Sequence, residues 1–240
     1  MIKISLLFYD NPISRSYVSE LIKNNVKVDN LIFIIKPEFR YFPYWYSSYL
    51  TYLRNNYYAL NYFKNKKLIK FRNKILKEFK FEDNFYNNMY NFSNVKRISK
   101  HKIIFTIAEN INDNKIIKLI NNLNSDYIIF SGGGILKNEI LNTKSKFVHI
   151  HPGYLPYVRG ADATLWSIKK YNEYASTSFI INKNIDAGDI IEQTTIQYEG
   201  TELYQDIRIK QAKATIAIIK KFINKYPKYS RKAQVGKGNV

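Results

Sequence analysis

Two of the three histidines in this 240-residue chain, His149 and His151, are separated by a single residue. They follow a short apolar run and precede a loop of Pro, Gly, Tyr and Arg, in the segment FVHIHPGYLPYVRGADATLW. Imidazole changes its charge close to neutral pH, so it is the side chain best suited to moving protons under physiological conditions. Two imidazoles this close together indicate acid–base chemistry or metal binding rather than packing alone.

A second polar loop contains carboxylates that could act with these histidines. It has the sequence NIDAGD over residues 184–189 and lies between two apolar stretches. A carboxylate beside a histidine raises the pKa of the imidazole and fixes its tautomer, as a general acid or base requires. The His-x-His pair could instead chelate zinc, with Asp186 or Asp189 as third ligand, and spacing alone leaves this alternative open.

The apolar periodicity predicts the elements that must position these residues. A strand, a helix and a strand are expected over 1–9, 13–24 and 28–36, which is the βαβ unit of a parallel sheet. Five more strands are expected at 102–107, 126–131, 147–150, 175–182 and 190–197. Four more helices are expected at 112–123, in a short stretch from Leu136, at 161–171 with Asp162 as N-cap, and at 201–225.

The fold class that this order favours is α/β, with an open, mostly parallel twisted sheet and helices on both faces. Residues 1–200 are predicted to form the main domain, and 201–240 a short C-terminal extension of one helix and a basic tail. Functional groups in such sheets lie at the carboxyl ends of the strands. Because side chains alternate along a strand, His149 and His151 should face one pocket, with Ile150 on the other face.

Residues 37–100 interrupt the pattern with an aromatic segment followed by a lysine-rich one. We interpret them as a helical insertion whose aromatic side chains cover the sheet, or as an aromatic and cationic wall for a nucleotide. The run Gly132–Gly134 follows a strand and precedes a helix, but it matches neither of the common phosphate-binding motifs. It indicates a tight turn, or bare backbone against which a flat ligand lies.

The composition narrows the possible partners and compartment. The formal net charge is +19, from 38 Lys and Arg against 19 Asp and Glu. The lysines are spread along the chain, which favours a compositional habit with modest attraction for an anionic substrate over a nucleic-acid surface. The absence of cysteine excludes disulfides and thiolate chemistry and suggests a reducing cytoplasm. The apolar run at the start is too short for a membrane span.

The segments FVHIHPGYLPYVRGADATLW and FIINKNIDAGDIIEQ together resemble the formyltransferases that use 10-formyltetrahydrofolate. That family carries Asn-x-His-Pro-(Ser/Gly)-x-Leu-Pro followed by an Arg/Pro-Gly turn, and later an Asp-(Ala/Thr/Gly)-Gly loop. His151 falls on the catalytic histidine and Asp186 on the catalytic aspartate, 35 positions apart. The resemblance covers residues 102–200 well and the first 36 residues loosely.

The resemblance implies a folate co-substrate, no metal and a specific division of roles. His151 would carry a proton from the attacking amine to the leaving nitrogen, and Asp186 would orient it and favour the imidazolium form. His149 stands where the family has an asparagine that donates a hydrogen bond to the formyl oxygen, so it either donates in altered geometry or weakens the site. The residues expected around the pterin are Gly134, Ile135, Leu136, Asn182, Asn184, Ile185 and Asp186.

The resemblance also bears on the acceptor. Glycinamide ribonucleotide transformylases have a glycine-rich first turn, which FYDNPIS lacks, and methionyl-tRNA formyltransferases add an RNA-binding domain, whereas 40 residues follow Gly200 here. Sugar N-formyltransferases match best in length, in the RGAD turn and in GGGIL. The expected acceptor is therefore a dTDP- or UDP-linked amino sugar destined for a surface polysaccharide such as O-antigen.

Arg159, Gly160 and Tyr154 are the expected contacts to that acceptor, with the aromatic segment 42–62 stacking the base and the tail AQVGKGNV closing over the site. We expect a cytoplasmic homodimer without nucleic-acid or membrane partners. The alternatives are an enzyme of the glycinamide ribonucleotide or methionyl-tRNA type, a non-catalytic relative that binds folate or nucleotide sugar, and an RNA-binding module.

Overall fold

The computed structural model describes residues 2–9, 14, 17, 18, 21, 24–35, 99–131, 134–225 and 230–235. The predicted insertion at 37–100, apart from its last two residues, lies outside the described residues, and so does the aromatic segment 42–62. Gly132, Gly133 and the last five residues of the predicted closing tail lie outside them too.

The described strands form a seven-stranded sheet in the order β3-β2-β1-β4-β5-β6-β7. Their bounds are β1 Ile4–Tyr9, β2 Val28–Ile35, β3 Ser99–Ile107, β4 Tyr127–Ser131, β5 Lys146–His151, β6 Glu173–Ile180 and β7 Ile190–Gln197. Neighbours from β3 to β5 are parallel, whereas β6 is antiparallel to β5 and β7 is antiparallel to β6. The change from parallel to antiparallel pairing therefore takes place beside the strand that contains the histidine pair.

Helices cover both faces of this sheet. Their bounds are α1 Asn114–Leu123, α2 Asn138–Leu141, α3 Ala163–Tyr171 and α4 Tyr204–Lys225. The residues described between β1 and β2 at positions 14, 17, 18 and 21 are also helical, as the predicted helix 13–24 requires.

Two apolar clusters hold these helices to the sheet, one on each face. Leu6 and Phe8 of β1 pack in the cluster that contains Phe222 of α4, whereas Leu7 points into the cluster that contains Ile116 of α1. Alternate residues of one strand are thus buried on opposite faces, as expected for a parallel strand covered on both sides. The α/β fold class with an open, mostly parallel sheet is confirmed.

Of two predicted helix starts, one is displaced, and the other, with Asp162 as the N-cap of α3, is confirmed. The short helix expected from Leu136 begins at Asn138, because Asn112 ties down the preceding backbone: its amide donates to the Ile135 carbonyl at 2.9 Å and its Oδ1 accepts from Lys137 N–H at 2.8 Å. Asp162 occupies the N-cap position of α3, but its φ is 52° and its side chain makes no capping hydrogen bond. Its backbone therefore has the left-handed conformation instead of the extended one that usual caps adopt.

The described part of the C-terminal tail lies against the start of β7. Ile190 and Lys232 form an antiparallel bridge, in which each backbone N–H donates to the carbonyl of the other at 2.8 and 2.9 Å. Among the described residues, no helix has the length and apolar content needed to cross a bilayer.

Replacing Ile219 by Ala should destabilise the fold by about 3 kcal/mol, because this side chain of α4 is 1% exposed within the apolar cluster and its loss leaves a cavity. Urea unfolding measures the change. The matched control is Lys221→Ala on the same helix, which removes one exposed ion pair with Glu192 and should cost less than about 1 kcal/mol. Equal losses for the two variants would show that α4 does not hold the sheet in this way.

Candidate active site

The carboxyl ends of strands β4 and β5 and the loop 181–189 surround one cavity. Strands β4 and β5 are parallel, so their carboxyl ends lie side by side. Strand β6 runs back beside β5 and leads into the loop 181–189, which folds over these ends and returns to the sheet where Ile180 N–H donates to the Asp189 carbonyl at 2.9 Å. The cavity has a volume of about 590 Å³, within the usual range for small-molecule sites.

Glycine at position 188 is required for the return of this loop. A Cβ atom added there would collide with the backbone carbonyl of Ile180, which cannot move without breaking the sheet. The close approach of loop and strand brings Asp186 back over the end of β5, although Asp186 follows a strand that runs the opposite way.

The cavity is lined by every residue that the sequence predicted around the pterin, namely Gly134, Ile135, Leu136, Asn182, Asn184, Ile185 and Asp186. Ile135 and Ile185 are 68% and 47% exposed and line the cavity, Ile135 from the turn after β4 and Ile185 from the loop 181–189. Gly134 has a φ of 104°, and an added Cβ would meet no atom within 4 Å, so there is open space beside its backbone. The two walls suit a flat ring recognised along its edge by backbone groups.

Both histidines of the pair line this same cavity. His151 Nδ1 lies 3.3 Å from Asp186 Oδ2, and the two side chains are only 4% and 19% exposed. The same carboxylate oxygen accepts a hydrogen bond from Gly160 N–H at 2.9 Å. The structure thus brings together the imidazole and the carboxylate that lie 35 positions apart in the sequence.

Burial lowers the pKa of His151 to about 4, even though the Asp186 carboxylate acts in the opposite direction. The neighbouring His149 adds a smaller lowering effect. Asp186 favours imidazolium as expected, since the carboxylate raises the pKa of His151, but in the resting site desolvation outweighs this effect. At neutral pH the ring is uncharged, and its Nδ1, which lies 3.3 Å from the Asp186 carboxylate, is the nitrogen placed to carry the hydrogen.

The other ring nitrogen of His151 is closed off from the cavity. Among the described residues His151 Nε2 is buried without a hydrogen-bond partner. It packs against Gly153, where an added Cβ would collide with the ring. The Asp186 carboxylate is the more exposed member of the pair.

The tautomer of His149 is set by a backbone carbonyl. His149 Nδ1 lies 3.0 Å from the carbonyl oxygen of Phe130, its partner on β4, and a carbonyl can only accept. Burial lowers the pKa of His149, against weaker opposing effects of this hydrogen bond and of Asp186. The neutral ring consequently carries its hydrogen on Nδ1 and a lone pair on Nε2, so it accepts from Nε2 and donates there only after gaining a proton.

The three residues predicted to contact the acceptor have different positions. Gly160 lines the cavity and holds Asp186 through its N–H, with a φ of 82° that favours glycine. Tyr154 lies outside the described lining of the cavity, in an aromatic cluster with Tyr157 and Tyr171, at ring-centroid distances of 5.3 and 5.6 Å. Arg159 also lies outside that lining and binds a side chain of the tail.

Sequence reasoning missed several residues that shape the site. Asn112 fixes one wall through the backbone of residues 135–137, and Phe130 fixes the tautomer of His149. Neither belongs to a motif, because both act through contacts that only the register of the sheet creates. The zinc alternative was suggested by the spacing of His149 and His151 alone. Within the part of the chain that the structure describes, no three His, Cys, Asp or Glu side chains are grouped so as to hold a metal ion.

Comparison with known proteins agrees with this geometry. Residues 83–220, more than half of the chain, match the family described as formyl transferase. The chain belongs to the formyl transferase family. The predicted resemblance is thereby confirmed at the level of the family, and the matched region contains both histidines and Asp186.

The individual relatives of this chain share 30% of its sequence or less in the comparisons described next. The methionyl-tRNA formyltransferase of Finegoldia magna is 28% identical over 144 residues, which are 58% of this chain and 46% of the relative. The bifunctional polymyxin resistance protein ArnA of Wigglesworthia glossinidia brevipalpis is 30% identical over 169 residues, 69% of this chain and 26% of the relative. The chain spans less than half the length of these curated relatives.

Solved structures share the fold. A sugar N-formyltransferase from Shewanella superposes with a TM-score of 0.60 at 15% identity, over 100% of this chain and 76% of the other. The likeness at this identity is one of fold, and it agrees with the open, mostly parallel sheet described above.

Stability should fall as the pH is lowered from about 6.5 to about 4, because the unfolded chain binds a proton on His151 in this range and the folded protein does not. Because folding lowers the pKa of this histidine, the folded state binds protons more weakly than the unfolded state, and acid therefore favours unfolding. His151→Asn should remove on the order of 3 kcal/mol of this pH dependence, measured by urea unfolding at several pH values.

The matched control for this measurement is His101→Asn in β3, which three strands separate from β5 in the sheet. If His151→Asn and the unaltered protein give the same dependence of unfolding free energy on pH, His151 does not have the lowered pKa.

Proposed function

We propose that this protein transfers the formyl group of 10-formyltetrahydrofolate to the amine of a dTDP- or UDP-linked amino sugar. The observation that carries the proposal is the contact of 3.3 Å between His151 Nδ1 and Asp186 Oδ2 at a cavity of about 590 Å³. Membership of the formyl transferase family supports the reaction type. Neither transfer to an amine nor proton movement between nitrogens requires a metal.

The residues of the cavity fit the folate co-substrate. Backbone groups of residues 134–136 would bind one edge of the pterin, and residues 182–186 would form the facing wall. Gly134 leaves room for the ring, since the space beside its backbone is empty of protein atoms. Asn182 Oδ1 accepts from Asn184 N–H at 2.9 Å, which keeps this wall in a fixed turn. The bound co-substrate supplies the formyl group and the leaving nitrogen.

The His151–Asp186 pair would move the proton. When the neutral amine attacks the formyl carbon, it must lose one proton, and the leaving nitrogen must gain one. The pair, a neutral imidazole beside a carboxylate, accepts this proton as a unit, with the carboxylate as the member that reaches the cavity, and it returns the proton to the leaving nitrogen. Gly160 N–H keeps the carboxylate in place during both transfers.

His149 would act first as an acceptor. Its Nε2 lone pair can accept a hydrogen bond from the attacking amine and so direct the lone pair of that amine towards the formyl carbon. The asparagine of the family can donate from its amide in any protonation state, whereas His149 donates to the formyl oxygen only as imidazolium. This substitution therefore makes the reaction depend on a titrating group at a position where the family motif has asparagine, which does not titrate.

The acceptor is proposed from the fold, the net charge and the lining of the cavity. The fold is shared with a sugar N-formyltransferase, the net charge of +19 attracts a nucleoside diphosphate, and Lys183 lines the cavity. A surface polysaccharide is the proposed destination of the product, and a cytoplasmic homodimer is the proposed form of the enzyme. Methionyl-tRNA is the second candidate, because a curated sequence relative is named for that acceptor.

Formyl transfer should be detected by mass spectrometry with 10-formyltetrahydrofolate and a dTDP- or UDP-linked amino sugar, and not with methionyl-tRNA. His151→Asn and Asp186→Asn should each lower kcat by about a hundredfold or more, because each removes one half of the proton-transfer pair. His101→Asn replaces the third histidine and should keep the full rate. Turnover with methionyl-tRNA alone would reassign the acceptor, and near-normal kcat in His151→Asn would refute the mechanism.

His149→Asn should move the acid-side fall of kcat/KM to lower pH. In the unaltered enzyme this rate falls once His149 is protonated, at a pH below the ordinary pKa of 6.5 because burial lowers its pKa. Asparagine still accepts and donates hydrogen bonds but does not titrate, so kcat at pH 8 should stay within about fivefold of the unaltered enzyme. Acid limbs at the same pH in both proteins would contradict a neutral, accepting His149.

A further inference from the structure

A side chain of the C-terminal tail reaches back to the loop that contains Asp186. Within the described segment 230–235 every residue is exposed except Gln234, which is partly buried. The bridge between Ile190 and Lys232 brings the tail alongside the end of this loop, two residues before Gln234. The one partly buried residue of this described segment therefore lies next to the loop that contains Asp186.

The amide of Gln234 connects two separate segments of the site. Its Nε2 donates to the carbonyl oxygens of Asp186 and Gly188, at 3.1 and 2.7 Å. Its Oε1 accepts from Arg159 Nε and Nη2, at 3.2 and 2.8 Å. The planar amide thus donates to the loop 181–189, which we call the aspartate loop, and accepts from the turn that precedes α3.

A second hydrogen bond joins the aspartate loop to the turn before α3, and it involves the Asp186 carboxylate itself. Gly160 follows Arg159 directly, and its N–H donates to the Asp186 carboxylate at 2.9 Å. The Gln234 amide therefore fixes the spacing between the two ends of this hydrogen bond. If the spacing changes, the Asp186 carboxylate must lose its contact with either Gly160 or His151.

The backbone of Asp186 needs such support. Its φ is 47°, in the left-handed region that a residue with a side chain occupies only at an energetic cost unless its surroundings hold it there. The hydrogen bond from Gln234 to the Asp186 carbonyl is one restraint on this conformation, and the bond to Gly188 restrains the residue that must approach β6 closely.

We propose that Gln234 is a positioning residue, which holds the Asp186 carboxylate against His151 by clamping the aspartate loop to the Arg159–Gly160 turn. This inference rests on the proposed function for its catalytic consequence, and on geometry alone for the clamp. It also gives Arg159 a role in holding the tail, in place of the acceptor contact expected from the sequence.

The clamp is tested by amide hydrogen exchange of Gly160, followed by NMR. Gln234→Ala should raise the exchange rate of the Gly160 N–H by about tenfold or more, because the Asp186 carboxylate that protects it becomes mobile. Gln234→Glu keeps an acceptor for Arg159 but loses both donors to the loop, so it should give a similar increase. Val235→Ala, at the neighbouring residue that is 86% exposed, should leave the rate unchanged.

The catalytic consequence is tested by a double-mutant cycle on kcat. Gln234→Ala should lower kcat by about tenfold in the unaltered enzyme but by less than about twofold in the Asp186→Asn background, because the clamp acts through the carboxylate. A residue that only stabilised the fold would lower kcat by the same factor in both backgrounds.

The outcomes separate the clamp from the proposed function. Faster Gly160 exchange in Gln234→Ala together with a non-additive cycle supports the inference. Unchanged Gly160 exchange, or equal losses of kcat in both backgrounds, overturns it. If the unaltered protein transfers no formyl group to any acceptor, the proposed function fails, and faster Gly160 exchange in Gln234→Ala still supports the clamp.

Discussion

The contact between the His151 imidazole and the Asp186 carboxylate places the strictest demands on the rest of the structure. The two residues lie on segments that leave the sheet in opposite directions, and they meet only because the loop after β6 folds back over the end of β5. Three glycines permit this meeting. Gly188 lets the loop approach β6, Gly153 leaves room for the His151 ring, and Gly160 supplies the N–H that binds the carboxylate.

The electrostatics of the site follow from burial more than from the carboxylate. His151 and His149 are both desolvated, and the pKa of each is lowered despite the nearby negative charge. A neutral His149 keeps a lone pair on Nε2 that can accept a hydrogen bond, which suits a reaction that begins with the attack of a neutral amine. Replacement of the family asparagine by His149 fits this setting, because an uncharged ring costs less to bury than a charged one.

Much of the fold was accessible from the sequence, since the apolar periodicity of the strands is strong. β7 has the predicted bounds, and the covering of the sheet on both faces agrees with the near-continuous apolar runs of β1 and β4. The start of α2 was missed because a side chain distant in sequence, Asn112, holds the backbone before it. A hydrogen bond of this kind leaves no periodic signal.

The site was predictable where its residues lie in a motif. His151, Asp186 and the residues around the proposed pterin pocket were identified from the resemblance of two segments to a known family, and the structure brings them to one cavity. The tautomer of His149 was not predictable, because it depends on the register that places Phe130 opposite it. The role of Gln234 was equally hidden, since this residue is 48 positions from Asp186 and belongs to no recognisable pattern.

Nitrogen-15 NMR of the imidazole side chains between pH 4 and 8 tests the central claim most directly. With only three histidines in the chain, each signal can be assigned by substitution. The account predicts that at pH 7 His151 is neutral with its hydrogen on Nδ1, and that it titrates near pH 4. An imidazolium signal for His151 at pH 7, or a neutral ring with its hydrogen on Nε2, would contradict it.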